Sequence, residues 1–154
     1  MQRPQQASNS SDLPAHHLTD INTGTLQDHY KSVRQTSLSI ASPLSDCDMC
    51  IQSMTDASPT RWHLAHTTWF FETFLLKPNL PDYQPMDESY NYLFNSYYNG
   101  IGKQVPRDKR GTQTRPGVEE ILAFRKHVDD AMLKLMNHGD AALKFLIELG
   151  LNHE

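Results

Sequence analysis

Residues 58–76 read SPTRWHLAHTTWFFETFLL, and this stretch decides the fold. It opens on Ser58-Pro59, a helix-start signal. A serine hydroxyl at the N-cap accepts from an early backbone N–H, and proline suits the first helical position, where no N–H is needed. Pro78 sets the expected end near Leu76. Two apolar stripes recur between them at helical spacing. Trp62, His66, Trp69, Phe70 and Thr73 form one, and Leu64, Phe71, Phe74 and Leu75 form the other. A helix apolar over so much of its circumference must be covered on several sides, so it belongs at the centre of a domain.

The flanking sequence supplies the partners. Thr25 and Asp28 have the spacing of a capping box, and Leu26, Tyr30, Val33, Ser37 and Ile40 follow at helical intervals until Pro43. A short turn or helix is expected through Asp46–Met54. Pro116 opens a further helix whose face is Ile121, Leu122, Val128, Met132, Leu135 and Met136, closed by His138-Gly139. His127 falls one step off that face and is read as solvent-facing. Asp140 caps a last helix with a stripe of Phe145, Leu146, Leu149 and His153. That helix reaches Asn152-His153-Glu154 without a stop signal and reads as cut short. No period-2 alternation and no internal repeat occurs. The fold class is therefore all-α: a four-helix bundle over residues 24–154 with one long irregular crossover at 78–115. A connector that long inside a small domain is usually functional.

Composition narrows the function. The chain has 154 residues, about one domain's length. Its apolar share of 38% is low for a compact domain, and residues 1–23, rich in Gln, Ser, Asn and Pro, account for it as a disordered tail. The net charge of −4 argues against a nucleic-acid partner. No apolar run is long enough for a membrane span and the N-terminus lacks a signal-peptide core, so a cytoplasmic protein is expected. Cys47 and Cys50 form a single CxxC without the βαβ context of a redox motif.

Eight histidines are the unusual feature. His16 and His17 lie in the tail. His66 and His153 both fall on apolar stripes of different helices, the placement from which bundle cores hold metals. The same placement also describes two hydrogen-bonded core histidines. His63, at i,i+3 from His66, is a possible third ligand or a surface residue. The crossover carries five of the six tyrosines, then Arg107, Arg110 and Arg115, which either bind a carboxylate in the two-pronged manner of guanidinium or decorate a solvated loop.

The wording of the motifs goes further than their period. SPTRWHLAHTTWFFETFLL (58–76), YNYLFNSYYNGIG (90–102), RxxRG at 107–111 followed by Arg115-Pro116, HVDDAM (127–132) and LIELGLNHE (146–154) occur in one order. Together they resemble the N-terminal DinB-like domain of the ergothioneine-biosynthesis sulfoxide synthases, the EgtB family, from about Thr25 to the last residue. The resemblance implies a DinB-like bundle that packs on a second, sulfatase-modifying-factor-like domain. It implies a non-haem Fe(II) held by three histidines, one in a WxLAH segment and two in an HxxxH. It also implies a reaction with O2 that joins the thiol of cysteine or γ-glutamylcysteine to hercynine.

Carried onto this chain, His66 matches the LAH ligand and His153 the first histidine of HxxxH. His63 matches a position that need not be histidine in the family and drops out as a ligand. The second HxxxH histidine would fall beyond Glu154, and the second domain is absent from the sequence. The expectation is an iron-binding domain that is inactive as this fragment. Two other readings stand beside it. One is a non-catalytic DinB-like bundle acting in binding or without activity; the other is a general thiol-dependent DinB-like metalloprotein working as a homodimer.

Overall fold

A computed structural model describes residues 25–96, 100, 102–137 and 141–154. The expected tail at 1–23 and the caps at His138, Gly139 and Asp140 lie outside the described residues. Within them every regular element is helical. Helix α1 is Leu26–Ala41, α2 is Asp46–Cys50, and α3 is Thr60–Phe71, continued by a π turn, Glu72–Leu76, and a last turn α4, Lys77–Asn79. The crossover holds α5, Tyr90–Leu93, and a 3-10 turn, Arg107–Thr112. Helices α6, Val118–Met136, and α7, Ala141–His153, complete the bundle.

The expected capping box of α1 is present: Thr25 Oγ1 accepts from the Asp28 N–H at 3.2 Å, and the Asp28 carboxylate accepts from the Thr25 N–H at 3.1 Å. Ser45 and Asp48 repeat it on α2. The start of α3 differs from expectation. Its N-cap is Pro59, because the Ser58 hydroxyl accepts from the Arg110 guanidinium at 2.9 Å instead. The end differs too. Proline lacks the N–H that would close the α ladder, and a π turn absorbs the mismatch so that the helix passes through Pro78 to Asn79. Of the short helix expected over 89–99, Tyr90–Leu93 is helical and 94–96 are not; 97–99 lie outside the described residues.

Helix α3 is the hub. It packs on α6, α7 and α2, while α1 closes against α6 and α7. Trp69, Phe71, Leu75, Phe124, Val128, Met132 and Ile147 are buried at this junction. Each such side chain contributes on the order of 2–3 kcal/mol relative to leaving it in water. Both stripes of 58–76 are covered, as the sequence predicts.

Two predicted faces need correction. On α6, Leu122 is exposed, and Phe124 and Arg125 take the inner positions. On α7, Phe145 and Leu149 face solvent, while Leu143, Ile147 and Leu151 enter the core. Apart from one narrow polar stripe, Lys144, Glu148 and Asn152, this helix is apolar, so period alone leaves its phase open. Gly150 settles it: a Cβ there would stand 2.7 Å from Phe71 Cε1 and 2.9 Å from Phe70 Cε1, so α7 presses its bare backbone onto α3. His127 is half-buried rather than solvent-facing, with Nε2 at 2.9 Å from the Gln84 carbonyl, which pins the crossover.

The crossover is tied to α3 along its length. Trp62 donates to the Leu93 carbonyl and Trp69 to Asn91 Oδ1, both at 2.9 Å. Arg61 donates to the carbonyls of Gln113 and Pro116. Gln52 donates to the Arg107 carbonyl and accepts from the Gly111 N–H. Among the described residues, no helix is long and apolar enough to cross a membrane.

Candidate functional site

His66 sits two turns into α3 and is 7% exposed. Trp62 and Trp69, one turn before and one turn after, share its face of the helix. Both indoles stack on the imidazole, with centroids at 4.8 and 5.7 Å and planes within 18°. The third constraint comes from the crossover: Nδ1 lies 2.7 Å from the Phe94 carbonyl oxygen. A carbonyl only accepts, so Nδ1 carries the proton and donates, and Nε2 keeps its lone pair. Burial pushes the His66 pKa down to about 4, with the charges of His153, Arg110 and His63 adding to it against the Phe94 carbonyl. The ring is therefore neutral at physiological pH, held in the tautomer that offers Nε2 as a donor atom.

What Nε2 meets is His153. The two Nε2 atoms are 2.9 Å apart, with the rings edge to face at 77°. His153 closes α7 and is exposed, not inward-pointing as its stripe predicts, yet its ring reaches over Phe70 to His66. At that distance the His153 Nε2–H donates to the His66 lone pair. Among the described residues, no group of three or more His, Cys, Asp or Glu side chains gathers to hold a metal.

The pair opens onto a cleft of about 320 Å³ lined also by Trp62, His63, Ser96, Arg107 and Arg110. The RxxR spacing puts both arginines on the cleft side of a 3-10 turn, where residues three apart eclipse. Arg110 is buried; it donates to Ser58 Oγ at 2.9 Å and Ser96 Oγ at 3.0 Å and lies 3.6 Å over the Trp62 ring. Arg107 donates to the Asp56 carbonyl. Arg115 is not brought here: it is exposed and pairs with Glu120 at 3.0 Å. His63 stands on the rim. Desolvation, then the charges of Arg110 and Arg107, hold its pKa below the usual imidazole value. Cys47 and Cys50 are free thiols on α2, and neither lines this cleft.

Sequence reasoning missed the charge cluster behind the histidines. Arg34 of α1 pairs with Asp129 at 2.7 Å and Glu154 at 2.9 Å, and Arg125 of α6 pairs with the other oxygen of Glu154. Tyr30 donates to Asp129 at 2.6 Å. The side chains of Arg34, Arg125 and Glu154 are at most 3% exposed. Burial alone would push the Glu154 carboxyl up, but the two guanidinium charges outweigh it and hold the pKa below the ordinary value. A signal was present: Arg34 follows Tyr30 by one turn, and Arg125 precedes Asp129 by one turn within apolar stripes. Charges in such places demand partners.

No curated protein matches the chain. The DinB superfamily profile matches residues 29–147, a span that includes His66 and stops just short of His153. It covers most of the bundle just described, from α1 into α7, and the chain belongs to the DinB superfamily.

Proposed function

We propose that this domain holds a divalent metal ion between His66 and His153, and that it is the Fe(II)-binding part of a sulfoxide synthase of the ergothioneine type. The observation that carries the reading is the 2.9 Å approach of two Nε2 atoms, one of them on a ring whose tautomer and orientation are set by the Phe94 carbonyl and two indoles. A hydrogen bond from Nδ1 to a backbone carbonyl is the usual support of a metal-binding imidazole. Neutral imidazoles with open neighbouring positions suit an iron that binds both a thiolate and O2, which is the chemistry the ion would supply.

The chain's own residues fit the rest of that assignment. Arg107 and Arg110 place positive charge on the wall of the cleft, in keeping with substrates that carry carboxylates. The indoles keep water from the faces of His66. The proposed net reaction joins the thiol of cysteine or γ-glutamylcysteine to the imidazole carbon of hercynine. The S–H and C–H bonds break and a C–S bond forms. One oxygen atom of O2 ends on sulfur and the other leaves as water, so four electrons pass from the two substrates to O2. The motifs that match the EgtB family over 58–76, 90–102 and 146–154 support this reading over other DinB chemistry.

Deleting the gene from its own cells and following hercynine and ergothioneine by mass spectrometry tests it. Accumulated hercynine with loss of ergothioneine is the expected result. Unchanged levels of both would overturn the sulfoxide-synthase assignment.

A further inference from the structure

His153 is exposed, and its ring packs on Phe70 and His66. The residue beside it is anchored from two other helices. The Glu154 N–H bonds to the Gly150 carbonyl at 3.0 Å, continuing the helical ladder, and its side chain is 1% exposed.

Two arginines from two other helices grip that carboxylate, one at each oxygen. Arg125 also donates to the Arg34 carbonyl at 2.9 Å, which locks α6 to α1. Arg34 then reaches Thr68 Oγ1 at 2.9 Å. Thr68 lies on α3 two residues after His66 and donates to the Leu64 carbonyl at 2.7 Å. A continuous chain of hydrogen bonds therefore runs from the turn that carries His153, through Glu154 and Arg34, to the turn that carries His66. Asp129 completes the charge balance, with two carboxylates for two guanidiniums.

We infer that Glu154, clamped by Arg34 and Arg125, is a positioning residue that sets the His153 ring against His66. The part of this inference that concerns metal affinity rests on the metal reading above; the ring geometry does not. Replacing a buried ion pair by apolar side chains of similar volume often leaves stability unchanged. The full chain carrying Arg125→Met with Glu154→Leu therefore removes the clamp while Arg34 keeps Asp129 and Thr68.

Two signals are read on wild type and variant. The first is long-range 1H–15N imidazole NMR without metal. In wild type it shows His66 protonated at Nδ1 and His153 donating from Nε2; in the folded variant the His153 donation is lost. The second is a Co(II) titration, in which affinity falls about 10–100-fold, as for other lost supports of metal-binding imidazoles. Glu154→Gln keeps one acceptor oxygen, and so a hydrogen bond to one of the two arginines, and loses only part of both signals; a loss as complete as in the double variant would count against the clamp.

A folded double variant that retains the His153–His66 hydrogen bond overturns the inference, whatever Co(II) does. If the double variant does not fold, Glu154→Ala is read by the same imidazole signal with the same two meanings. If wild type takes up no Co(II), the metal reading fails, and the imidazole signal alone decides the positioning role.

Discussion

Gly150→Ala should destabilise the protein, although alanine is the better helix former. In an ordinary helix interior the exchange gains about 1 kcal/mol, because alanine loses less backbone entropy. Here the added methyl would lie 2.7 and 2.8 Å from two atoms of the Phe71 ring and 2.9 Å from Phe70. Phe71 is fully buried and packs edge to face on Tyr30 with centroids 5.1 Å apart, so it has nowhere to retreat. Overpacking a rigid core costs about 1–3 kcal/mol, and a clash shared by two rings belongs in the upper half of that range. The net loss is about 1–2 kcal/mol, or about 4–8 °C in Tm for a domain of this size. Thermal unfolding followed by circular dichroism reads it. The double variant Gly150→Ala with Phe71→Leu should recover part of the difference between the single variants, since leucine leaves room for the methyl. A Gly150→Ala protein that melts above wild type would refute the close approach of α7 to α3, and with it the register that brings His153 to His66.

Other expectations follow from single contacts. Glu72 is buried in the π turn, with Oε1 accepting from Tyr83 at 2.6 Å and Oε2 facing Lys77 at 3.7 Å. Burial raises its pKa against the Tyr83 and Lys77 contributions. A raised carboxyl is stabilising below its unfolded value and loses that contribution as pH rises through the folded value, so Glu72→Gln should gain on wild type between pH 4.5 and neutrality. Urea midpoints at both pH values check this; a variant that is less stable at pH 7 would mean that the Tyr83 and Lys77 contacts dominate. Arg110→Lys should cost about 1–2 kcal/mol, because an ammonium cannot span two serine hydroxyls while lying flat on Trp62; an unchanged urea midpoint would contradict that. Thr25→Ala removes the first cap of α1 and should cost about 1 kcal/mol, read by the same assay.

The central helix was legible because its chemistry is dense and redundant. Trp62, His66 and Trp69 repeat at helical spacing, and any neighbour that covers them gives the same answer. The burial of His66 on that face was legible for the same reason. The phase of α7 was not, since Leu143, Phe145, Leu146, Ile147, Leu149 and Leu151 flank the narrow polar stripe of Lys144, Glu148 and Asn152 on both sides. The deciding residue there is Gly150, which acts by lacking a side chain. The clamp on Glu154 was hidden because its members come from positions 34, 125 and 154 and meet only in the folded bundle. Arg107, Arg110 and Arg115 read alike as one basic run; only the fold separates them, with Arg107 and Arg110 on the cleft wall and Arg115 against Glu120.

The most direct test of the histidine pair is an anaerobic Fe(II) titration of the full chain, with His66→Ala and His153→Ala measured beside wild type and each confirmed folded. One Fe(II) per wild-type chain, with binding weakened at least tenfold by either substitution, is the predicted result. Equal uptake by all three proteins, or none by wild type, would contradict a metal centre built on these two imidazoles.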